Sequence, residues 1–349
     1  MHASTYIPLR IIDIKSETSD TKSFVLSPAN GQQVSYQVGQ FLTLVFQKKD
    51  REERRSYSIS STALLHEPLT ITAKRIDNGE YSRYLFDEAK VGDILLTIGA
   101  SGYFTLPESI ADDTHFFFLA AGSGITPILP LMKTLLHFHP SVSVTLLYSS
   151  RNAEATIFYD VIQDLARQFP VKLNIQYLFS SSQNLLHARL SKVKLIQHIH
   201  THHIPKDKTI FYLCGPSGYM QMATIALLTE GIPKENIRKE NFSTIKPILK
   251  ELPPDTEAHM VTLIYNEVSH KIKVQYPDTI LEAGKRSGLP LPYSCEAGKC
   301  GTCAATCIQG NIWHSYNEVL VDRELQKGRV LTCTGYPIGK EPVIIRFDK

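Results

Sequence analysis

The run Cys295-Glu-Ala-Gly-Lys-Cys300-Gly-Thr-Cys303, with Cys333 further along, arranges four thiols as C-x4-C-x2-C plus one distant member. This asymmetric spacing suits a [2Fe-2S] cluster, because two sulfide-bridged irons each need two soft terminal thiolates. Gly298 and Gly301 allow a tight loop whose backbone N–H groups can face the cluster sulfurs. Structural zinc is the alternative, but it usually presents paired C-x2-C knuckles. Cys307 stands in Ala-Ala-Thr-Cys-Ile, a segment leading into a strand, and reads as a buried packing thiol rather than a fifth ligand.

Three further segments carry residues suited to binding a nucleotide. Gly122-Ser-Gly124-Ile-Thr126-Pro127 follows an apolar strand and opens a helix, which suits the approach of a phosphate to backbone N–H groups. It begins like G-x-G-x-x-G but has Pro127 at the third glycine position. Cys214-Gly215-Pro216 lies at the carboxyl end of another predicted strand, where a plain structural turn is the competing reading. Gly79-Glu-Tyr-Ser82 opens a short helix, with Ser82 read either as part of a phosphate cradle or as a simple N-cap. Arg55-Ser-Tyr57-Ser58 taken alone is an amphipathic strand.

The elements that must position these residues change character along the chain. Up to about residue 107, β-branched and aromatic residues alternate with polar ones in runs near 6–14, 22–26, 40–46, 55–60, 69–74 and 94–98. This predicts an antiparallel β-barrel interrupted by one helix over 82–89. From His115 apolar strands alternate with helical patterns: strands at 115–120, 142–148, 171–178, 209–213 and 237–242, with helices to 138 and over 155–168, 190–200 and 217–229. That is the rhythm of an α/β doubly wound parallel sheet. Lys246 to Glu257, rich in proline and charge, reads as a linker. Beyond it, strands at 260–265 and 271–274, a helix over 279–286 and a closing strand at 343–347 frame the cysteine cluster. The predicted domains are therefore 1–107, 108–245 and 258–349, joined at 246–257.

Composition narrows the function classes. A chain of 349 residues, 43% hydrophobic, can bury several cores. Thirty-seven basic against 34 acidic side chains, net +3, give no field for gripping nucleic acid. The first residues lack a basic segment followed by an apolar run, so no secretory signal is expected. The stretch from Thr114 to Met132 carries four glycines and prolines and reads as a buried strand and helix, not a membrane span. Six cysteines, four of them clustered, point to a metal centre in a reducing, cytoplasmic setting. His198, His200, His202 and His203 fall at the predicted end of a helix, where imidazoles suit the negative pole of its dipole; a metal site is the other reading.

Taken together, these motifs resemble the ferredoxin-NADP reductase superfamily, and the domain order resembles its oxygenase-reductase type with a C-terminal plant-type [2Fe-2S] ferredoxin domain of β-grasp α+β fold. The resemblance implies that Arg55 pairs with flavin phosphate, Tyr57 packs on the isoalloxazine and Ser58 sits near flavin N5. It also implies that Gly79 and Ser82 meet the flavin pyrophosphate, and that Gly122, Gly124, Thr126 and Pro127 hold the pyrophosphate of NADPH or NADH. By the same resemblance, Cys214, Gly215 and Pro216 meet the nicotinamide, with Cys214 a positioning residue. Glu240 and Phe242 look like a Glu-x-Phe segment, of which Phe242 would pack beside the flavin; a core phenylalanine is the alternative. FAD is implied, with FMN open. One departure is charge: plant ferredoxins are acidic, whereas residues 258–349 carry nine acids and eleven bases.

Coenzyme choice is read from two loops that disagree. Arg151 follows the strand ending at Tyr148 where no acid stands, which favours a 2′-phosphate and hence NADPH. After the next strand come Ser180-Ser-Ser-Gln183 with no adjacent arginine, Arg189 being a distant substitute. The implied activity is NAD(P)H-dependent electron transfer through flavin and cluster to a separate oxygenase-type protein. A fatty-acyl desaturase as acceptor, or a redox sensor without steady turnover, are the alternatives.

Overall fold

The structure is a computed structural model that describes residues 6–48, 52–184, 188–246 and 251–347. The chain divides into two compact units, the first covering Tyr6–Asn241 and the second Phe242–Lys349. Residues 247–250 of the expected linker lie outside the described residues.

The first unit begins with a six-stranded antiparallel sheet, β1 (Ile7–Thr18), β2 (Thr21–Pro28), β3 (Phe41–Gln47), β4 (Glu52–Ser58), β5 (Thr70–Lys74) and β6 (Ile94–Ser101), in the order β4-β3-β6-β1-β2-β5. A bridge between Ile59 and Ile71 brings the two edges together, so the sheet closes on itself. Alternating side chains, among them Leu9, Ile11, Phe24, Leu42, Leu44 and Leu95, fill the interior. The helix expected over 82–89 starts two residues earlier. Helix α1 is Glu80–Arg83, capped by Gly79, and widens into a π-turn over Tyr84–Glu88 in which Ala89 N–H donates to Tyr84 O.

The rest of this unit is a parallel sheet in the order β11-β10-β7-β8-β9. Its strands are β7 (His115–Ala121), β8 (Ser143–Ser150), β9 (Leu173–Phe179), β10 (Thr209–Cys214) and β11 (Ile237–Glu240). The helices are α2 (Ile125–Phe138), α3 (Tyr159–Gln168), α4 (Lys192–Thr201) and α5 (Ser217–Thr229). Helix α3 begins at Tyr159 rather than near 155. The Asn152 side chain accepts from Ala155 N–H and the Ser150 and Thr156 hydroxyls pair at 2.6 Å, which holds that segment as a loop. The chain runs outward from β7 through β8 to β9, then crosses back to β10 on the other side of β7. The crevice beyond β7 and β10 is therefore the switch point at which open α/β sheets bind ligands.

The second unit is a mixed sheet, β13-β12-β18-β14-β16, with a separate two-stranded antiparallel sheet of β15 and β17. Here β12 is His259–Tyr265, β13 Val268–Val274, β14 Ala304–Gln309, β15 Asn311–His314, β16 Arg329–Leu331, β17 Gly335–Ile338 and β18 Val343–Arg346. Helix α6 (Ile280–Arg286) opens on a capping box in which Thr279 and Glu282 exchange side-chain and backbone hydrogen bonds. Parallel pairing of β12 with β18 and antiparallel pairing of β12 with β13 give the β-grasp pattern. Strands β15 to β17 and the short helix α7 (Asp322–Gln326) add to the predicted elements. They are too short to show a period.

No helix among the described residues is long and apolar enough to cross a membrane. The Thr114–Met132 stretch is β7 followed by the start of α2.

Candidate functional site

The switch point joins two motifs that lie about ninety residues apart. Register pairs Cys214 with Ala120, so the Gly122–Pro127 and Cys214–Pro216 segments leave adjacent strand ends. They touch so closely that a Cβ on Gly124 would lie 2.0 Å from Cys214 O, and one on Gly215 would lie 2.8 Å from Ala121 Cβ. Glycine at 124 is thus required by the approach of another backbone. Gly122 adopts a left-handed φ of 54°, its carbonyl accepts from the Tyr148 hydroxyl at 3.1 Å, and the Thr126 hydroxyl closes the turn onto Ser123 O at 2.9 Å. Pro127 is buried in the first turn of α2, where the missing N–H costs nothing.

Next to this turn stands a residue that sequence reasoning left without a role. Glu240 ends β11 and is paired in register with Cys214. The Ser58 hydroxyl, at the end of barrel strand β4, donates to Glu240 Oε1 at 3.1 Å. Burial pushes the Glu240 carboxyl up to about 8, with the Ser58 hydrogen bond pulling the other way. Burial, with Glu240 beside it, also pushes the Cys214 thiol well up, so Cys214 stays a neutral thiol suited to packing rather than attack. Glu240 Oε2 is buried and has no hydrogen-bond partner among the described residues. Ser58, Cys214 and Glu240 therefore form one buried cluster where the barrel meets the parallel sheet. The signal that could have found Glu240 was its place, an acid at the last strand end of the nucleotide domain.

Tyr57, next to Ser58, is half-buried, and burial raises its phenol above the ordinary range. The Arg55 guanidinium stands over the Tyr81 ring at 5.0 Å, and that ring stacks on Phe46 at 4.1 Å. Arg55 is thereby brought to the short helix that opens at Gly79. It also pairs with Glu53 at 2.9 Å, so a phosphate here would compete with that carboxylate. The N-cap reading of Ser82 is corrected: Gly79 is the cap, while the Ser82 hydroxyl donates to Gly79 O at 3.0 Å and accepts from Ile76 N–H at 3.2 Å. Ser82 shapes the turn.

Two expected residues are exposed. Arg151 is exposed on the loop after β8. Phe242 is 46% exposed, which overturns the alternative of a core phenylalanine. The histidines also separate. His198 is buried against Phe117 and His202, while His200 pairs with Glu230 at 2.7 Å. No group of three or more His, Cys, Asp or Glu among the described residues is set to hold a single ion.

In the second unit, the loop from Cys295 to Cys303 needs left-handed backbone at Glu296, Gly298 and Gly301. A Cβ at Gly298 would lie 2.7 Å from Tyr316 O. The four cysteines form two interacting pairs, Cys295 with Cys300 and Cys303 with Cys333. The Thr332 hydroxyl fixes the second pair by donating to Cys303 O at 2.9 Å. The Cys300 thiol and the backbone N–H groups of Lys299, Ala297 and Cys300 draw Cys295 down to about 6. Ala297 N–H lies 3.4 Å from its sulfur. Paired soft thiols with backbone donors aimed at sulfur suit a [2Fe-2S] cluster, two thiols to each iron. Cys307 is not buried as expected. It is half-exposed beside a β-bulge, its thiol 3.3 Å from Gln309 O.

Three family models match successive parts of the chain: an oxidoreductase FAD-binding domain over residues 8–106, an oxidoreductase NAD-binding domain over 118–224 and a 2Fe-2S iron-sulfur cluster binding domain over 263–337. The chain is 30% identical to one of the subunits of the 1,2-phenylacetyl-CoA epoxidase of Escherichia coli K12, over 99% of this chain and 98% of that protein. It is 31% identical to the ferredoxin reductase component of 3-ketosteroid-9-alpha-monooxygenase from Mycobacterium tuberculosis, over 98% of this chain and 96% of that one. Among solved structures, phthalate dioxygenase reductase matches in fold with a TM-score of 0.58 at 21% identity, covering 98% of both chains.

Proposed function

This chain belongs to the family of oxygenase reductases that join an FAD-binding domain, an NAD-binding domain and a 2Fe-2S domain, and on that footing we propose that it supplies electrons from NAD(P)H to a separate oxygenase component. The observation that carries the reading is the Ser58–Glu240 hydrogen bond beside Cys214, which joins the barrel to the nicotinamide turn in one buried site. Bound flavin would convert a two-electron delivery into single electrons, and the cluster would relay them. Ser58 holds a hydroxyl, and Glu240 a proton at neutral pH, at the edge where hydride must arrive. Cys214, neutral and buried, shapes the nicotinamide pocket without reacting. Arg55 and the Gly79 turn hold flavin phosphate, Tyr57 packs on the flavin ring, and Gly122 to Pro127 hold the coenzyme pyrophosphate. Cys295, Cys300, Cys303 and Cys333 are the cluster ligands, and Phe242 serves the flavin side.

We assign 1–107, 108–245 and 258–349 to the flavin, nucleotide and ferredoxin domains, with 246–257 as linker, and a cytoplasmic setting that keeps the six unpaired thiols reduced. Tagged protein purified from its native cell tests the reading. The expected result is a co-purifying oxygenase component that the holoprotein reduces at the expense of NAD(P)H. A desaturase component in its place would change the acceptor. A chain that consumes no NAD(P)H with any protein acceptor would favour the redox-sensing alternative.

A further inference from the structure

Three threonines adjoin the clustered cysteines: Thr302 next to Cys303, and Thr332 and Thr334 on either side of Cys333. All three are buried. Two of their hydroxyls are engaged, since Thr332 donates to Cys303 O at 2.9 Å and the Thr302 oxygen lies 3.4 Å from Cys300 Sγ. Thr334 differs. It is 5% exposed, and its Oγ1 has no hydrogen-bond partner among the described residues.

Backbone acceptors around this hydroxyl are already in use. Thr334 O accepts from Ser315 N–H at 2.9 Å and from the Ser315 hydroxyl at 3.3 Å, and Gly298 O accepts from Glu318 N–H at 3.0 Å. The 315–318 turn is thereby fastened both to the loop holding Cys295 and Cys300 and to the segment holding Cys333. The Thr334 side chain stands between these two segments: it follows Cys333 directly, and a Cβ built on Gly298 would lie 3.2 Å from its methyl. An unpaired buried hydroxyl is costly, and valine would fill the same volume without that cost. An orphaned donor inside a set of metal-ligating thiols points to an acceptor that arrives with the metal. The sulfurs of a [2Fe-2S] cluster are acceptors of this kind, and hydrogen bonds to them set its potential.

We propose that the Thr334 hydroxyl donates a hydrogen bond to the sulfurs of the cluster and thereby raises its reduction potential. A donor aimed at sulfur favours the reduced form, which carries one more negative charge, over the oxidised form. The inference rests on the assignment of Cys295, Cys300, Cys303 and Cys333 as ligands. Thr334→Val keeps the shape and removes the donor, whereas Thr334→Ser keeps the donor and removes the methyl. In a redox titration of holoprotein followed by electron paramagnetic resonance, Thr334→Val should make one-electron reduction about tenfold less favourable, a fall of about 59 mV, with about two irons per chain retained. Thr334→Ser should stay near wild type. Pulsed electron-nuclear double resonance of the reduced protein in H2O and D2O should show an exchangeable proton coupled to the cluster, lost in Thr334→Val and kept in Thr334→Ser. Loss of the cluster from Thr334→Val with retention in Thr334→Ser would support the same bond. An unchanged potential or proton coupling in Thr334→Val, equal shifts in the two variants, or loss of the cluster from Thr334→Ser alone would overturn the proposal. If wild-type protein itself gives no [2Fe-2S] signal, the ligand assignment fails; a normal signal indifferent to Thr334→Val defeats only the role of the hydroxyl.

Discussion

The Ser58 hydroxyl and the Glu240 carboxyl meet at 3.1 Å although 182 positions separate them in the chain. One residue ends a barrel strand and the other ends a strand of the parallel sheet, so this bond ties the barrel to the parallel sheet at the site proposed for coenzyme and flavin. Burial holds a proton on Glu240 in the folded chain up to about pH 8, while the unfolded chain releases it near 4.5. The stability this contributes is therefore full below about pH 4.5 and is lost as pH rises through about 8. Glu240→Gln keeps a neutral side chain at every pH. Its melting temperature should rise relative to wild type as pH goes from 5 to 9. A gap that stays constant over that range would show that Glu240 is ionised throughout.

Ser58→Ala removes both the donor to Glu240 Oε1 and the hydroxyl assigned to the hydride-receiving edge. Flavin reduction in anaerobic stopped flow should slow at least about tenfold with little change in the coenzyme concentration needed for half-maximal rate. An unchanged rate with flavin still bound would take Ser58 out of the reaction.

Gly124→Ala should be among the most damaging small substitutions in the nucleotide domain. Its methyl would fall 2.0 Å from a backbone oxygen of the Cys214 turn, and relief requires the Gly122–Pro127 and Cys214–Pro216 segments to separate. A cost of about 1–3 kcal/mol is expected, together with a large rise in KM for the coenzyme. Gly218→Ala, which meets nothing within 4 Å, is the matched control and should be near neutral. Equal behaviour of the two variants would argue against the close contact.

Cys300→Ser should destroy the cluster, because a serine hydroxyl is a harder donor that is rarely ionised. NAD(P)H-dependent reduction of ferricyanide, drawn from the flavin, should survive while reduction of cytochrome c is lost. Cys307→Ser should keep about two irons per chain, since its thiol is engaged with Gln309 O. Loss of iron in Cys307→Ser with retention in Cys303→Ser would reverse the ligand assignment.

Motifs whose chemistry is local were legible in the sequence. The cysteine spacing needs only one loop and one turn to close, and strands such as Phe41–Gln47 and His115–Ala121 declare themselves by period and apolarity. Glu240 was not legible as a site residue, because its partners Ser58 and Cys214 reach it only through strand register and packing between domains. The N-cap reading of Ser82 and the expected burial of Cys307 failed for a related reason. Which atom a short polar side chain bonds, or whether a thiol near a bulge is covered, depends on backbone detail that residue type does not carry. The segments after β8 and β9 were each read correctly as loops, but their joining depends on the β8–β9 pairing.

The order of electron flow is tested most directly by mixing anaerobic holoprotein with NADPH in a stopped-flow spectrometer and following flavin and cluster absorbance separately. The flavin band should bleach first, the cluster band should follow in a later phase, and protein stripped of flavin should show no cluster bleaching on the same timescale. Prompt cluster reduction without flavin, or a cluster that stays oxidised while the flavin is fully reduced, would contradict a path from nicotinamide through the Ser58–Glu240 site to the four cysteines.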